Sequence, residues 1–497
     1  MSCGEWTETI IRPTTPDPDR EARWVLAAAL ALSFALIGAR SVVHLCDGDV
    51  QLYRTVSRNI VESGKWFDLT HTPAVLPRFR EHLPFGLWPG ALVIAMVGDA
   101  AIPRLGWLWS VPILIAVAWV ARRLFSTWAA AGAVLVIGTM DAFALHCTFP
   151  RLDGPTALFG FFSAIPWLNT TQPAAGAEEH GAGPPSRAIP GHGGLAFSIV
   201  CASIACAIKG PFGLLPLCCI CAGRAIADRS LKPLLAGAGA VTAAALPVLG
   251  FLLYQRGFGD RSWWDGYVGA QLLPSVTGAR ADGGPRVYYP FVVLLRQFWP
   301  GLALLPFAIR RALRSEDRTR RAVLVAFAVG ALIACLPHRK LPHHLGVLYP
   351  LAALVAGEAL GAGLAWLAAR PGSKLAVARV FGASAVLAWV LLVAGRPFWL
   401  RESFCLPHSD LRAEIAALPP GSDVALISTG GEWRNIAALA AERRVVAWPV
   451  AGWRQAAALP VHPSVAIVEA AVVGQPDASW RKGRAIIGWT WWTRESR

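Results

Sequence analysis

The chain has 497 residues, of which 55% are hydrophobic and 15% charged. A soluble globular domain carries roughly 25% charge, and the apolar residues here come in long blocks, so an ordinary soluble protein is excluded and a polytopic membrane protein remains. The net charge of +15 does not make a nucleic-acid binder, because much of the basic charge falls between apolar spans rather than on one polar domain or helix face. The ten cysteines form no disulfide framework: Cys201, Cys206, Cys218, Cys219, Cys221 and Cys335 lie in apolar spans, where the thiol is a small hydrophobe. No paired CxxC motif marks a zinc ribbon.

Residues 1–23 are polar, with Pro13, Pro16 and Pro18. They lack the apolar stretch and small-residue cleavage site of a signal peptide and read as a cytoplasmic tail. Crossing roughly 30 Å of hydrocarbon takes about 20 apolar residues. Eleven spans are expected near 24–43, 104–121, 127–147, 155–168, 194–208, 211–227, 234–254, 290–309, 322–337, 343–369 and 380–400. The shorter ones need tilt or local thinning. Together they make residues 24–400 a mainly α-helical membrane domain. Segment 83–98 is different: at 1.5 Å per residue it reaches only about 24 Å, and Pro84 and Pro89 interrupt its start. It reads as an interfacial or half-inserted helix. With it left out, two crossings separate the loop of Asp49 from the loop of Asp153, so both acids face one compartment.

Placing the N-terminus inside puts Arg122, Arg123, Arg224, Arg229, Lys232, the block Arg310 to Arg321, Arg370, Lys374 and Arg379 on inward loops, as the positive-inside tendency requires. The loop 169–193, rich in Gly, Pro and Ala, is an inward connection, and no internal repeat of the transporter kind is found. After residue 400 the pattern changes. Helices are expected near 409–417 and 432–442, with strands at 423–428, 444–448, 465–473 and 484–492. Residues 401–497 thus suffice for one small α/β domain, placed outside by the count of spans. The Gly430-Gly431 pair reads as a turn, since no phosphate-loop pattern surrounds it.

Four polar clusters interrupt the apolar chain. In the first outward loop, 44–103, Asp47 and Asp49 follow the first span, and YRTVSRNIVESGKW reads as an amphipathic helix with Tyr53, Val56 and Ile60 on one face and Gly64 as its stop. The second cluster is Arg151 with Asp153, the third Lys209 before Gly210 and Pro211, and the fourth Leu336 to His344, which contains Lys340. Each has a structural reading when taken singly: a solvated loop acid, an Arg–Asp pair, a snorkelling lysine. Two adjacent histidines beside Arg339 and Lys340 make a poor metal site, because neighbours diverge on a helix and the cations repel the ion. The topology count adds that all four clusters, with Glu81 and His82, emerge on one side. Such a rim suits a ligand with a phosphate for the cations, a hydroxyl or amine for a carboxylate to deprotonate, and a lipid tail for the apolar helices.

These residues also resemble a known family. The run Asp49-Val-Gln-Leu-Tyr53, then Ser57-Arg58 and Ser63-Gly64-Lys65-Trp66, is similar to the DExxY…SR…SGDW run of GT-C glycosyltransferases of the protein O-mannosyltransferase and lipid A aminoarabinose transferase type. Glu81-His82-Leu83-Pro84 looks like that family's E-K-P-P/I stretch, Arg151…Asp153-Gly-Pro155 like its second acidic motif, and Lys209-Gly210-Pro211 like its K-G-P/F motif. Tyr288-Tyr289-Pro290 resembles its WYY, and Lys340-Leu341-Pro342 its K-L-P-x-Y. The resemblance spans about residues 24–360 and is carried by six motifs in order.

What the resemblance implies is an inner-membrane transferase with a periplasmic site, taking a sugar from a polyprenyl-phosphate donor to a lipid, glycan or protein acceptor by inverting displacement. In that family the first-loop acid, here Asp49, serves as general base or orients the acceptor, and Asp153 supports it. Lys209, Arg58, Lys340 and Arg151 would hold the phosphate, with Asp47, Tyr53, Glu81, His82 and Tyr288 as further substrate contacts. Membrane lipids are the other partner, and nucleic acid is none. Three departures stand out. The family's Asp-Glu reads Asp49-Val50, its E-K reads Glu81-His82, and the histidines that often precede WYY are replaced by DGGPRV. The last leaves little in the outward loop 255–289 to hold the divalent metal that some relatives suggest, and no other cofactor is implied. That loop does carry Trp263, Trp264 and Asp265, an aromatic pair and acid suited to a sugar ring. The rival readings are a lipid-linked-sugar transporter or flippase and a non-catalytic lipid-binding protein of the same fold. A transporter would favour mid-membrane ionisable groups and inverted repeats, whereas these charges rim one mouth.

Overall fold

The computed structural model describes residues 18–41, 48–140, 143, 146–147, 151–168, 189–279, 288–337, 342–370, 409–428, 436–437, 440–441, 443–472, 476–486 and 489–494. The expected span 380–400, most of the expected helix 432–442, and Asp47 and Lys340 lie outside these residues. The membrane part is built from helices α1 (Pro18–Ser41), α4 (Trp107–Leu124), α5 (Thr127–Thr139), α6 (Asp153–Leu168), α7 (His192–Lys209), α8 (Leu215–Asp228), α9 (Lys232–Gly257), α10 (Tyr289–Gln297), α11 (Trp299–Arg314), α12 (Arg318–Ile333) and α13 (Tyr349–Ala368). Two further helices, α2 (Gly48–Ser63) and α3 (Trp88–Val97), form a layer beside the bundle. Among the described residues, five helical stretches are long and apolar enough to cross a membrane: Arg20–Gly38, Asp99–Leu124, His192–Asp228, Lys232–Gly257 and His344–Ala368.

Small residues set the closest approach in the bundle. A Cβ on Gly357 of α13 would collide with the backbone of Ala133 on α5, and one on Gly132 with the carbonyl of Gly357; such glycine-lined contacts let helix backbones meet where lipid offers no hydrophobic driving force. Caps fix two starts. The Ser126 hydroxyl accepts from the Ala129 amide at 3.0 Å before α5, and the Asp317 carboxylate accepts from Thr319 at 2.8 Å before α12.

The ten residues of α3 reach only about 15 Å, half the hydrocarbon thickness, too short to cross. One expected span changes. The single span 290–309 is broken into α10 and α11, because Pro300 cannot donate into a continuing ladder and instead starts α11. The spans 194–208 and 211–227 are α7 and α8, joined by a tight turn at Gly210 (φ 66°) that folds Gly213 back against the Ala205 backbone. A side chain at Gly210 would strike the Tyr267 hydroxyl, so both the backbone angle and the space require glycine. The outward loop 255–289 is largely helical where described, with a π-helical stretch Trp264–Leu272 continued by Leu273–Thr277.

The C-terminal part folds as a five-stranded mixed sheet. Its strands are β1 (Asp423–Ile427), β2 (Val446–Val450), β3 (Val465–Glu469), β4 (Trp480–Ile486) and β5 (Trp489–Arg494), in the order β2-β1-β3-β5-β4. β1 is parallel to both β2 and β3, while β5 is antiparallel to β3 and β4. Helix α14 (Ser409–Ala417) contributes Leu411 and Ile415 to the core under β1, β2 and β3. The expected single strand 484–492 is instead split between the end of β4 and the start of β5, an apolar run that period alone does not divide.

Candidate active site

Helix α2 carries the first two residues of the site. Asp49 stands exposed in its first turn, and Tyr53, one turn later on the same face, is buried. Gly64 (φ 69°) ends the helix. The Tyr53 hydroxyl lies 2.9 Å from His82 Nε2, with the rings edge to face at 5.3 Å. Burial pushes the Tyr53 phenol well above its ordinary range, and the negative charges of Asp49, Asp153 and Glu81 raise it further. The phenol therefore stays protonated. Asp49 and Asp153, which the demotion of segment 83–98 assigns to one compartment, do act on the same hydroxyl.

Asp153 opens α6 and Lys209 closes α7, and their side chains form a buried ion pair. Helix ends meeting in this way place an anion at a positive N-terminus and a cation at a negative C-terminus, each a favourable position. Beside the pair, Arg151 Nη1 is 3.0 Å from His146 Nδ1, and both residues lie within electrostatic reach of Asp153. The 3-10 turn Pro342–Leu348 closes the far side: a Cβ on Gly346 would sit 3.9 Å from that of Asp153. Phe212, in the turn after Lys209, stacks on His344 at 4.3 Å. The third and fourth sequence clusters thus meet at Asp153, joined by an aromatic contact that their spacing did not announce. His146 likewise carried no sequence signal.

Other expected contacts go elsewhere. Arg58 is five residues beyond Tyr53 and so about 140° round α2. Its Nη2 donates to the Ala441 carbonyl at 2.7 Å, and its Nη1 is 3.9 Å from Asp99. It joins the helix to the C-terminal domain, as does the 2.7 Å pair of Arg444 with Glu62. Arg54 grips Asp99 through Nε and Nη2 at 2.8 and 2.7 Å, tying α2 to the turn after α3. Trp263 is buried rather than open to a sugar. The Arg80 guanidinium lies 4.4 Å above its ring and pairs with Asp68 at 2.9 Å and Asp260 at 2.8 Å. Asp265 is exposed and 3.6 Å from Arg261, and Tyr288 is exposed as well; neither is brought to the Asp49–Asp153 mouth by any contact among the described residues. The cleft behind Tyr53, lined by Arg54, Ser57, Trp109 and Arg151 among others, holds about 20 Å³, enough for one water and too little for a sugar.

Among the described residues no group of three or more His, Cys, Asp or Glu is arranged to hold a metal ion. Asp153 is already engaged by Lys209 and His146 by Arg151, so this donor set does not fit a divalent ion.

No family model matches the chain, and no curated protein matches it in sequence. In fold it is similar to ArnT from Cupriavidus metallidurans bound to undecaprenyl phosphate, with TM-score 0.67 and 16% identity over 95% of this chain and 98% of that one. The apo state of the same ArnT gives TM-score 0.68 at 16% identity, over 95% and 97%. The Archaeoglobus fulgidus oligosaccharyltransferase in complex with Zn and sulfate gives 0.51 at 13% identity, over 90% of this chain and 68% of that chain. These likenesses show the fold. The chain has the GT-C architecture that its motifs imply, in a multi-pass membrane protein.

Proposed function

We propose that this protein is a membrane glycosyltransferase that takes a sugar from a polyprenyl-phosphate donor to an acceptor at the outer, periplasmic face of an inner membrane. The observation that carries the reading is the mouth itself: Asp49, Tyr53 and Glu81 gathered beside the Asp153–Lys209 pair, in the fold of an ArnT solved with undecaprenyl phosphate.

In this reading the acceptor oxygen attacks the anomeric carbon as the bond from that carbon to the phosphate oxygen breaks. The electron pair leaves on the phosphate, and the acceptor proton passes to Asp49, the exposed carboxylate of the mouth. Lys209 and Arg151 stabilise charge growing on the leaving phosphate, with Lys209 shared between that anion and Asp153. Asp153 holds Lys209 in place, and Tyr53 and His82 present a hydrogen-bonding pair beside the reacting groups. One-step displacement inverts the anomeric centre.

The test is transfer by purified protein from a panel of polyprenyl-phosphate sugars, read both as glycosylated acceptor and as released polyprenyl phosphate. The proposal expects one donor to turn over. If every donor binds and none is cleaved with lipid, glycan and protein acceptors supplied, the protein is a binding protein with a transferase fold.

A further inference from the structure

A second groove lies at the other end of the bundle. Helix α13 starts beside the mouth, at the turn that packs on Asp153, and Trp366 comes 17 residues later, about 25 Å along the axis. The groove there runs between α11 and α13 and holds about 750 Å³. Its walls change character along their length. Leu304, Phe307, Leu360 and Trp366 form an apolar strip over a floor of Ala359, Ala362 and Gly363, and the strip ends in Arg310, Arg311, Arg314 and Arg320.

The arginines are not equivalent. Buried Glu358 accepts from Arg311 through Nε at 3.0 Å and Nη2 at 2.8 Å, and also pairs with Arg320 at 3.2 Å. Arg320 is further held by Ser315 at 2.9 Å and is 3.8 Å from Asp317. A single carboxylate thus fixes two guanidinium groups at the head of the groove. Arg310 and Arg314 are exposed and, among the described residues, have no carboxylate partner. Arg370 stacks on Trp366 at 3.6 Å, adding a fifth cation at the rim.

We propose that this groove binds one anionic glycerophospholipid, with its phosphate against Arg310 and Arg314 and an acyl chain along the Leu304–Phe307 and Leu360–Trp366 strip. The charge complementarity is direct: guanidinium forks match phosphate oxygens, and basic groups at a membrane surface attract anionic headgroups. The length also fits. From Leu304 to Arg314 is about 15 Å of helix, one leaflet of a hydrocarbon core roughly 30 Å thick, which an acyl chain spans and a much longer polyprenyl chain overruns. The site is independent of the transfer reaction proposed above, because no residue is shared.

Native mass spectrometry of the full-length protein in detergent, titrated with phosphatidylglycerol, phosphatidylcholine or undecaprenyl phosphate, tests it. The wild type should retain one phosphatidylglycerol at least tenfold more tightly than phosphatidylcholine. The Arg310→Ala/Arg314→Ala double variant should lose that tenfold preference, whereas Arg122→Ala/Arg123→Ala, on the same end of the bundle, should keep it. Gly363→Phe, with every arginine intact, should weaken retention equally by filling the floor. Equal loss in both double variants would reduce the effect to diffuse surface charge and overturn the proposal. So would retention of phosphatidylcholine as tight as phosphatidylglycerol. Tenfold tighter binding of undecaprenyl phosphate, lost in the same variants, would overturn the assigned occupant in favour of a carrier lipid.

Discussion

Arg80 is a buried cation and Lys209 a partly buried one, and they do opposite things with their charge. Arg80 is saturated. It meets two carboxylates, donates to the Leu69 and Phe79 carbonyls at 3.1 and 3.2 Å and to the Ser262 hydroxyl at 3.1 Å, and lies on Trp263. It pins the loop after α2 to the loop after α9. Asp260, its partner, is held down to about 2 by hydrogen bonds from Arg80 and Ser262 that outweigh desolvation. Lys209 has one carboxylate partner among the described residues, Asp153, which with Asp49 and Glu81 lies within electrostatic reach of the Tyr53 hydroxyl. A closed charge network holds structure, whereas Lys209 and Arg151 beside the single carboxylate of Asp153 have capacity left for an anion.

The contrast can be broken at either end. The largest effect is expected at Lys209. Lys209→Ala removes a cation facing the leaving group and leaves Asp153 buried without it, so transfer should fall by roughly a thousandfold or more, measured as released polyprenyl phosphate. If the rate changes less than tenfold, Lys209 is only an interface anchor. Arg80→Ala should act on stability instead. Losing the ion pairs and the ring contact should cost about 2 kcal/mol or more, and thermal unfolding in detergent would register it. The rate per folded molecule should stay within tenfold of wild type. A folded variant with transfer abolished would place Arg80 in the chemistry.

His71 offers a pH-dependent test of the same loop. Both its ring nitrogens are buried without a hydrogen-bond partner. Burial, and then the charge of Arg58, lowers its pKa from 6.5 to about 4. Between those values the unfolded chain holds a proton that the folded chain does not, so stability is full above about 6.5 and falls as pH drops, by roughly 3 kcal/mol once pH passes 4. The unfolding midpoint should therefore drop between pH 7 and pH 5 in the wild type, and the drop should shrink in His71→Leu. An equal drop in both would assign the acid sensitivity to other groups. The smallest effect is expected at Asp265, exposed beside Arg261. Asp265→Asn should change the transfer rate less than twofold, and a loss beyond tenfold would restore it as a substrate contact.

Most of the membrane architecture was legible because composition and span length are one-dimensional signals. The shortness of α3 followed from two prolines and an apolar length too short to cross. The shared mouth followed from counting crossings. What failed to show was three-dimensional in origin. The turn of Arg58 toward Ala441 depends on where a domain more than 380 residues away docks. The stack of Phe212 on His344 depends on two helix-end turns meeting. Trp263 read as a sugar platform because its neighbours in sequence are polar, but the ring is covered by Arg80 from a segment 183 residues earlier. The hairpin β4–β5 was missed because an unbroken apolar run does not mark its own turn.

The central claim is that Asp49 takes the acceptor's proton in a mouth it shares with Asp153. The most direct measurement is the transfer rate of Asp49→Asn against wild type, with donor and acceptor saturating and unfolding midpoints matched. The predicted result is a fall of about a hundred- to ten-thousandfold in rate, with donor lipid still bound. Transfer at the wild-type rate by a folded Asp49→Asn protein would contradict it.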